Sequence, residues 1–165
     1  MKAMSPPPLS SPPPAVLLDA NVFLLFIVGL MDKGWIEKFR RTSSRYQVRD
    51  FEILVSWLAQ FNSLVTTPHV LAEVSALLGQ LPLGVAVRAR ATLVRTASVW
   101  DERFAPIASF REDPATVLKF GLTDATIRRV AASGIAILTD DAPLYGILVA
   151  TNPHVTNFTH LRNMD

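Results

Sequence analysis

Cysteine is absent from the 165-residue chain, and histidine occurs only three times. The absence of cysteine excludes disulfide bonds, thiolate metal sites and thiol nucleophiles. His69, His154 and His160 are too far apart in the sequence to form a metal-ligand motif. The chain also lacks a glycine-rich phosphate loop and the G-x-S-x-G motif of serine hydrolases. The enzyme classes built on these groups are therefore not indicated.

A membrane-spanning run is also missing. The most apolar stretch, Ala15–Met31, contains Asp19 and Asn21 and is shorter than the ~20 residues that a spanning helix needs. An aspartate at a helix centre costs about 2.5–3.5 kcal/mol on insertion scales. No small-residue cleavage site follows the N-terminal Lys2. We expect no membrane contact, and the lack of cysteine fits the reducing cytoplasm.

Composition favours one globular domain behind a short tail. Hydrophobic residues make up 50% of the chain, and the mean hydropathy is +0.30. Residues 1–14 are rich in proline and serine, which predicts a flexible, polyproline-like tail. Residues 15–165 then form the folded domain. The net charge of the chain is only +2, so any attraction to nucleic acid must come from a local basic patch.

Short apolar runs alternate with longer amphipathic segments, which predicts an α/β fold with a parallel sheet. The predicted strands are the run from Ala15 to Asp19, Leu64–Thr66, Ile135–Leu138 and an edge strand at His154–Phe158. The predicted helices are Val22–Leu30, Trp35–Arg41, Val48–Phe61, Pro68–Leu78, Pro82–Val99, Leu122–Ser133 and Pro143–Ala150. The segment Trp100–Pro114 has no clear pattern.

Two of the predicted strands end in acidic residues. The first is followed by Asp19, and Ile135–Leu138 is followed by Thr139, Asp140 and Asp141. Ligands of open α/β sheets bind at the carboxyl ends of the strands. A carboxylate buried there needs a metal ion, a proton or a hydrogen-bonding partner. Each of these aspartates could also simply cap the helix that follows it.

Two predicted helices carry an acid on the side expected to face the core. Glu73 lies three residues after Val70 and four before Leu77, and Asp124 lies three before Ile127. Taken singly, Asp124 could serve the helix dipole and Glu73 could pair with an arginine. Four or five inward carboxylates together would repel one another unless a cation gathers them. All-oxygen ligands favour Mg²⁺ or Mn²⁺.

Basic residues concentrate between Lys33 and Arg49, where Glu37 is the only acid. A solvated surface is the ordinary explanation for such a stretch. The alternative is contact with a phosphate backbone. The candidate substrate-binding residues are then Lys33, Lys38, Arg40, Arg41 and Arg45.

Four short motifs, taken in order, resemble the PIN-domain family. They are LLDAN at Asp19, TTPHVLAEV at Glu73, GLTDATI at Asp124 and ILTDD at residues 139–141. The resemblance covers the chain from Ala15 to about Phe158. It implies a three-layer α/β/α sandwich with a central parallel sheet and metal-dependent ribonuclease activity. Many compact members are VapC-type toxins held in check by an antitoxin, so the expected partners are RNA, an antitoxin protein and a second copy in a homodimer.

The resemblance also implies roles for individual residues. The family's metal-site acids, which bind Mg²⁺ or Mn²⁺ and are catalytic, fall on Asp19, Glu73 and Asp124. The final acid is Asp141 by the family's Thr-x-Asp pattern, with the neighbouring Asp140 as the alternative. Thr139 matches the hydroxyl that supports this site, and Asn21 matches the small polar residue two places after the first acid.

Two other functions fit part of the pattern. Haloacid-dehalogenase-like phosphatases combine a strand-end aspartate nucleophile, a hydroxyl after a middle strand, a lysine and a late acidic pair. In this chain those groups would be Asp19, Thr66, Lys119 and Asp140–Asp141. That hypothesis leaves Glu73 and Asp124 without a role, and Asn21 replaces the second aspartate of the D-x-D motif. A non-catalytic module that binds RNA or protein is the third hypothesis.

Overall fold

A computed structural model describes residues 14–164 of the chain. The predicted flexible tail therefore lies outside the described residues except for its last residue, Pro14. The carbonyl oxygen of Pro14 accepts hydrogen bonds from the backbone N–H groups of Asn62 (2.8 Å) and Ser63 (3.1 Å). Pro14 thus already belongs to the folded domain.

Five parallel strands form the central sheet, and helices cover both of its faces. The strands are β1 Ala15–Leu18, β2 Ser63–Thr66, β3 Asp101–Glu102, β4 Ala136–Thr139 and β5 Val155–Asn157. Their order across the sheet is β3-β2-β1-β4-β5. The chain is therefore a three-layer α/β/α sandwich, which confirms the fold expected from the sequence.

Nine α-helices and two short 3₁₀ turns connect the strands within residues 14–164. The helices are α1 Ala20–Met31, α2 Arg40–Ser43, α3 Val48–Leu58, α4 Pro68–Leu78, α5 Leu83–Ala97, α6 Ala115–Phe120, α7 Leu122–Ala131, α8 Ala142–Val149 and α9 Phe158–Arg162. The 3₁₀ turns are Lys33–Trp35 and Ile107–Phe110. None of these helices is both long and apolar enough to cross a membrane.

The sheet has a switch point between β1 and β4. From β1 the chain moves outward to β2 and β3, then returns to β4 on the other side and continues to β5. Leu18 pairs with Leu138 in the register of β1 and β4, so Asp19 and Thr139 follow side by side. A crevice opens at the carboxyl edge of such a switch point, and ligands of open α/β sheets bind there.

Burial on both faces explains the short apolar runs of the sequence. Val16, Leu17 and Leu18 in β1, like Ile137 and Leu138 in β4, are almost fully buried. Helix α1 packs on one side against α3, α4 and α5, and α7 contacts both α6 and α8. Helices α4 and α7 also contact each other, which brings two of the predicted acids toward the same region.

Two predicted elements are wrong in detail. The segment Trp35–Arg41 is not a helix, because the chain turns at the buried residues Ile36 and Phe39 before α2 begins. The hydroxyl of Thr42 donates to the carbonyl oxygens of Ile36 (2.7 Å) and Phe39 (3.0 Å), and at Ile36 it takes the place of a helical backbone N–H. The edge strand predicted at His154–Phe158 ends at Asn157, since the Asn157 side chain caps α9.

The packing of α1 on α3 gives a first test. A methyl group at Gly29 would lie 2.2 Å from the buried ring of Phe51, so the whole ring would have to move. We expect Gly29→Ala to lower the free energy of unfolding by about 1–3 kcal/mol. Gly146→Ala in α8 is the control, because nothing lies within 4 Å of its added carbon. Urea unfolding measures both variants, and equal stability of Gly29→Ala and wild type would contradict this packing.

Candidate active site

Asp19 lies at the junction of β1 and α1 and is only 3% exposed. One oxygen, Oδ1, accepts the backbone N–H of Val22 at 2.8 Å and so caps α1. The other oxygen, Oδ2, accepts the hydroxyl of Thr139 and the backbone N–H of Asp140, the latter at 3.0 Å. The cap expected from the sequence is confirmed, and the same carboxylate also ties β1 to the end of β4.

Asp140 lies beside Asp19, and its side chain is only 5% exposed. Its Oδ2 atom accepts the hydroxyl of Tyr46, and the guanidinium Nη1 atom of Arg45 is 3.6 Å away. Its Oδ1 atom is buried and has no hydrogen-bond partner. An unpaired buried carboxylate oxygen is costly, so this atom is the clearest sign that the site is built for a further ligand.

The other three acids form a second group. Asp141 caps α8 through its Oδ1 atom, which accepts the backbone N–H of Leu144 at 2.8 Å. Asp124 is half-buried in the first turn of α7. Burial is the main cause that raises the pKa of Asp124, and the charges of Asp141 and Glu73 raise it further, so all three carboxylates lie in one electrostatic neighbourhood.

Glu73 corrects the expectation that two helices aim a carboxylate at the core. Its side chain is exposed. Val70, Val74 and Leu78 form the buried stripe of α4. Glu73 is one residue before Val74, so it lies about 100° around the helix from the centre of that stripe. It belongs to the solvated rim of the acid group.

Burial and repulsion from neighbouring carboxylates set the protonation of Asp19 and Asp124. Burial raises the pKa of Asp19 to about 7, and the charge of Asp140 adds to the effect, while the hydrogen bonds from Thr139 and two backbone amides oppose it. Burial, Asp141 and Glu73 raise the pKa of Asp124 to about 6. Burial and the charges of Asp140 and Asp19 raise the pKa of Tyr46, which stays a neutral donor.

The donor set suits a hard divalent cation. Its members are carboxylate oxygens, which Mg²⁺ and Mn²⁺ prefer, and a cation would offset the burial and the repulsion that together raise the pKa of Asp19 and Asp124. The acids lie in two groups and not in one ring. No three Asp, Glu or His side chains of residues 14–164 already enclose a metal-sized position.

A cavity of about 750 Å³ lies on the side of the acids from which Arg45 contacts Asp140, and none of the acids is in its wall. Asn21, just inside α1, contributes to its wall, and Arg45 reaches from the cavity to Asp140. The wall contains four basic side chains and no acidic one; the basic residues are Lys38, Arg40, Arg41 and Arg45. Four of the five predicted substrate-binding residues therefore line one space.

Lys33, the fifth, is placed elsewhere. Its ammonium group pairs with Glu52 at 3.1 Å and lies over the ring of Phe51, and it does not line the cavity. Within the cavity wall, Arg41 is held by a 2.7 Å hydrogen bond to Gln80. The basic stretch of the sequence thus divides into a cavity wall and a separate surface ion pair.

Thr139 has the supporting position expected for it. Its hydroxyl donates to Asp19 and accepts the backbone N–H of Asp141 at 3.0 Å. Tyr46, by contrast, was not found from the sequence. It lies in a polar, basic segment with no helical or strand periodicity, and its one distinguishing signal is that the chain has only two tyrosines.

Comparisons with protein-family models, with curated proteins and with solved structures found no match to this chain. The functional inference therefore depends on the geometry of the site and on the motifs that resemble the PIN-domain family.

The raised pKa of Asp19 predicts how stability depends on pH without added divalent cations. The unfolded aspartate loses its proton near pH 3.8, whereas folded Asp19 keeps it up to about pH 7. The unfolded chain therefore binds fewer protons in this window, and the free energy of unfolding should fall as pH rises from about 4 to about 7. Urea unfolding across this range measures the slope.

Asp19→Asn should remove this part of the slope. Glu37→Gln, which changes an exposed acid, should keep it. A wild-type stability that is flat or rising between about pH 4 and pH 7 would contradict the burial of Asp19 beside Asp140 without a cationic partner.

Proposed function

We propose that this chain is a metal-dependent ribonuclease that hydrolyses phosphodiester bonds of RNA. One observation carries the proposal: buried carboxylates at the switch point of the sheet are linked, through the ion pair of Arg45 with Asp140, to a cavity whose wall holds four cations and no anion. Acids suited to a divalent cation next to a cationic wall are the two halves of a site for phosphodiester chemistry. The family resemblance supports the same function.

The acids have distinct tasks in this proposal. Asp19, Asp124 and one of the two acids after β4 hold Mg²⁺ or Mn²⁺, while Glu73 contributes from the rim. A bound ion of this kind lowers the pKa of a water molecule and stabilises charge on the phosphoryl oxygens. Thr139 fixes the orientation of the Asp19 carboxylate through its hydroxyl hydrogen bond.

The cavity wall binds the RNA backbone. The cations Lys38, Arg40 and Arg41 are exposed, so they can exchange solvent ions for phosphates. Arg45 links this wall to the acids through Asp140. Asn21 lines the cavity two residues after Asp19, and in this proposal it helps to orient the ligands of the ion, as the family resemblance implies.

The resemblance to VapC-type toxins extends the proposal to partners. An RNA substrate in the cytoplasm, an antitoxin that holds the nuclease in check and a homodimeric assembly belong to it. The family resemblance alone supports these partners and this location, whereas the roles of the acids and of the cavity are also supported by the geometry of the site.

A phosphatase of the haloacid-dehalogenase type is the second candidate. The hydroxyl of Thr66 is buried at the end of β2 without a hydrogen-bond partner, as a phosphate-binding hydroxyl would be. Against this candidate, Glu73 and Asp124 would have no role, although Asp124 lies in the electrostatic reach of both Asp141 and Glu73. Lys119 is exposed on α6, with its ammonium 5.2 Å from the ring centroid of Phe120. The geometry favours the ribonuclease.

Asp19→Asn and Asp124→Asn test the proposed reaction separately. Each substitution removes a negative ligand at nearly constant volume, so Mn²⁺-dependent cleavage of a labelled single-stranded RNA should fall by about 100-fold or more. Glu37→Gln is the control, and circular dichroism checks that each variant is folded. Full cleavage by either folded variant contradicts the site. Release of phosphate from a small phosphoester by wild type, without RNA cleavage, would favour the phosphatase.

The cationic wall predicts a specific salt dependence. Lys38→Ala and Arg40→Ala, made in the Asp19→Asn background to prevent cleavage, should each weaken RNA binding. Each should also reduce the slope of log affinity against log salt by about 0.7. Arg95→Ala removes an exposed cation of α5 outside the cavity and should leave the slope unchanged. Fluorescence anisotropy measures the slopes, and equal slopes in all variants would contradict RNA binding at this wall.

A further inference from the structure

The two acids after β4 are not equivalent in the structure. The Oδ1 atom of Asp141 caps α8, and its backbone N–H donates to the hydroxyl of Thr139. Asp140 keeps one buried oxygen without a partner, and its backbone N–H donates to Asp19. Asp140 therefore combines a buried oxygen that has no partner with a direct backbone contact to the first acid, and neither feature is found at Asp141.

Tyr46 and Arg45 hold the opposite oxygen of Asp140. The hydroxyl of Tyr46 donates to Oδ2, and the half-exposed Arg45 lies 3.6 Å from the same atom. Both contacts are made to Oδ2, so the carboxylate is oriented with Oδ1 unoccupied by protein donors. A neutral phenol fixes the direction of a carboxylate without cancelling its charge.

The ring of Tyr46 is itself fixed by packing. It is 2% exposed, and its centroid lies 5.9 Å from that of Phe158. The guanidinium of Arg162 lies over both rings, at 5.6 Å and 5.9 Å, and is anchored by a 2.8 Å bond to Asp50. A side chain clamped in this way holds its hydroxyl in one place before any ligand arrives.

We propose that Asp140, and not Asp141, is the strand-end carboxylate that joins Asp19 in binding a divalent cation, and that Tyr46 is its positioning residue. This inference rests on the proposed function, because it assigns the ligand and its support within the same site. It departs from the Thr-x-Asp pattern of the family, which points to Asp141. It also makes the segment between α2 and α3 part of the metal site.

Mn²⁺ binding to the full chain, measured by titration calorimetry, tests this assignment without relying on activity. Asp140→Asn should weaken Mn²⁺ binding by about 100-fold or more, at least tenfold more than Asp141→Asn. Asparagine at 141 retains an oxygen that can cap α8. A difference in Mn²⁺ binding between the two variants is therefore not caused by loss of the helix cap. Tyr46→Phe keeps the packed ring, removes the donor and should weaken binding by about tenfold.

Tyr145→Phe is the matched control, since Tyr145 is the other tyrosine and its ring packs edge-on against His160. It should bind Mn²⁺ as wild type does. The Tyr46→Phe effect should also persist undiminished in the Asp141→Asn background, because Tyr46 acts through Asp140.

The outcomes separate the inference from the proposed function. If wild type does not bind Mn²⁺, the ligand assignment and the proposed function are both contradicted. If wild type binds Mn²⁺ and Asp141→Asn loses more affinity than Asp140→Asn, the assignment of Asp140 as the ligand is contradicted. The proposed function is not contradicted by that result. If Tyr46→Phe binds Mn²⁺ like wild type, the positioning role falls.

Discussion

The buried carboxylate of Asp19 lies where β1 ends, and much of the surrounding structure satisfies its charge. Burial of an ion in the protein interior is costly, so a carboxylate there persists only with donors, a proton or a cation. The backbone of α1, the hydroxyl of Thr139 and the backbone of Asp140 supply the donors. These three contacts tie β1, α1 and the end of β4 together, yet the pKa of Asp19 stays raised to about 7.

The order of strands explains how distant acids meet at this carboxylate. The reversal between β1 and β4 puts the ends of two strands side by side, although they are far apart in the chain. The contact of α4 with α7 then brings Glu73 and Asp124 to the same edge. The basic segment after α1 folds over this edge, and four of its cationic side chains line the cavity. The net charge of the chain is only +2, but the acids and the cations of the cavity wall are separated into two oppositely charged regions.

The sequence predicts the strand ends well, because a strand buried on both faces leaves an uninterrupted apolar run that stops at Asp19 or at Thr139. It predicts Glu73 less well, since three-residue spacing does not separate the centre of a buried stripe from its flank. Helical periodicity does not predict that Tyr46 lies at the site, because its position depends on a turn fixed by Phe39 and Thr42. The division of the basic stretch, with Lys33 paired to Glu52, likewise arises from tertiary contacts.

Proton release on Mn²⁺ binding tests most directly whether these acids are built for a divalent cation. Carboxylates must lose their protons before they bind a metal ion. Calorimetric titrations in two buffers of different ionisation enthalpy should show that Mn²⁺ binding releases between one and two protons near pH 6 and almost none near pH 8. This follows because the pKa of Asp19 is about 7 and that of Asp124 about 6. No binding, or binding with the same proton count at both pH values, would contradict a cation site at Asp19.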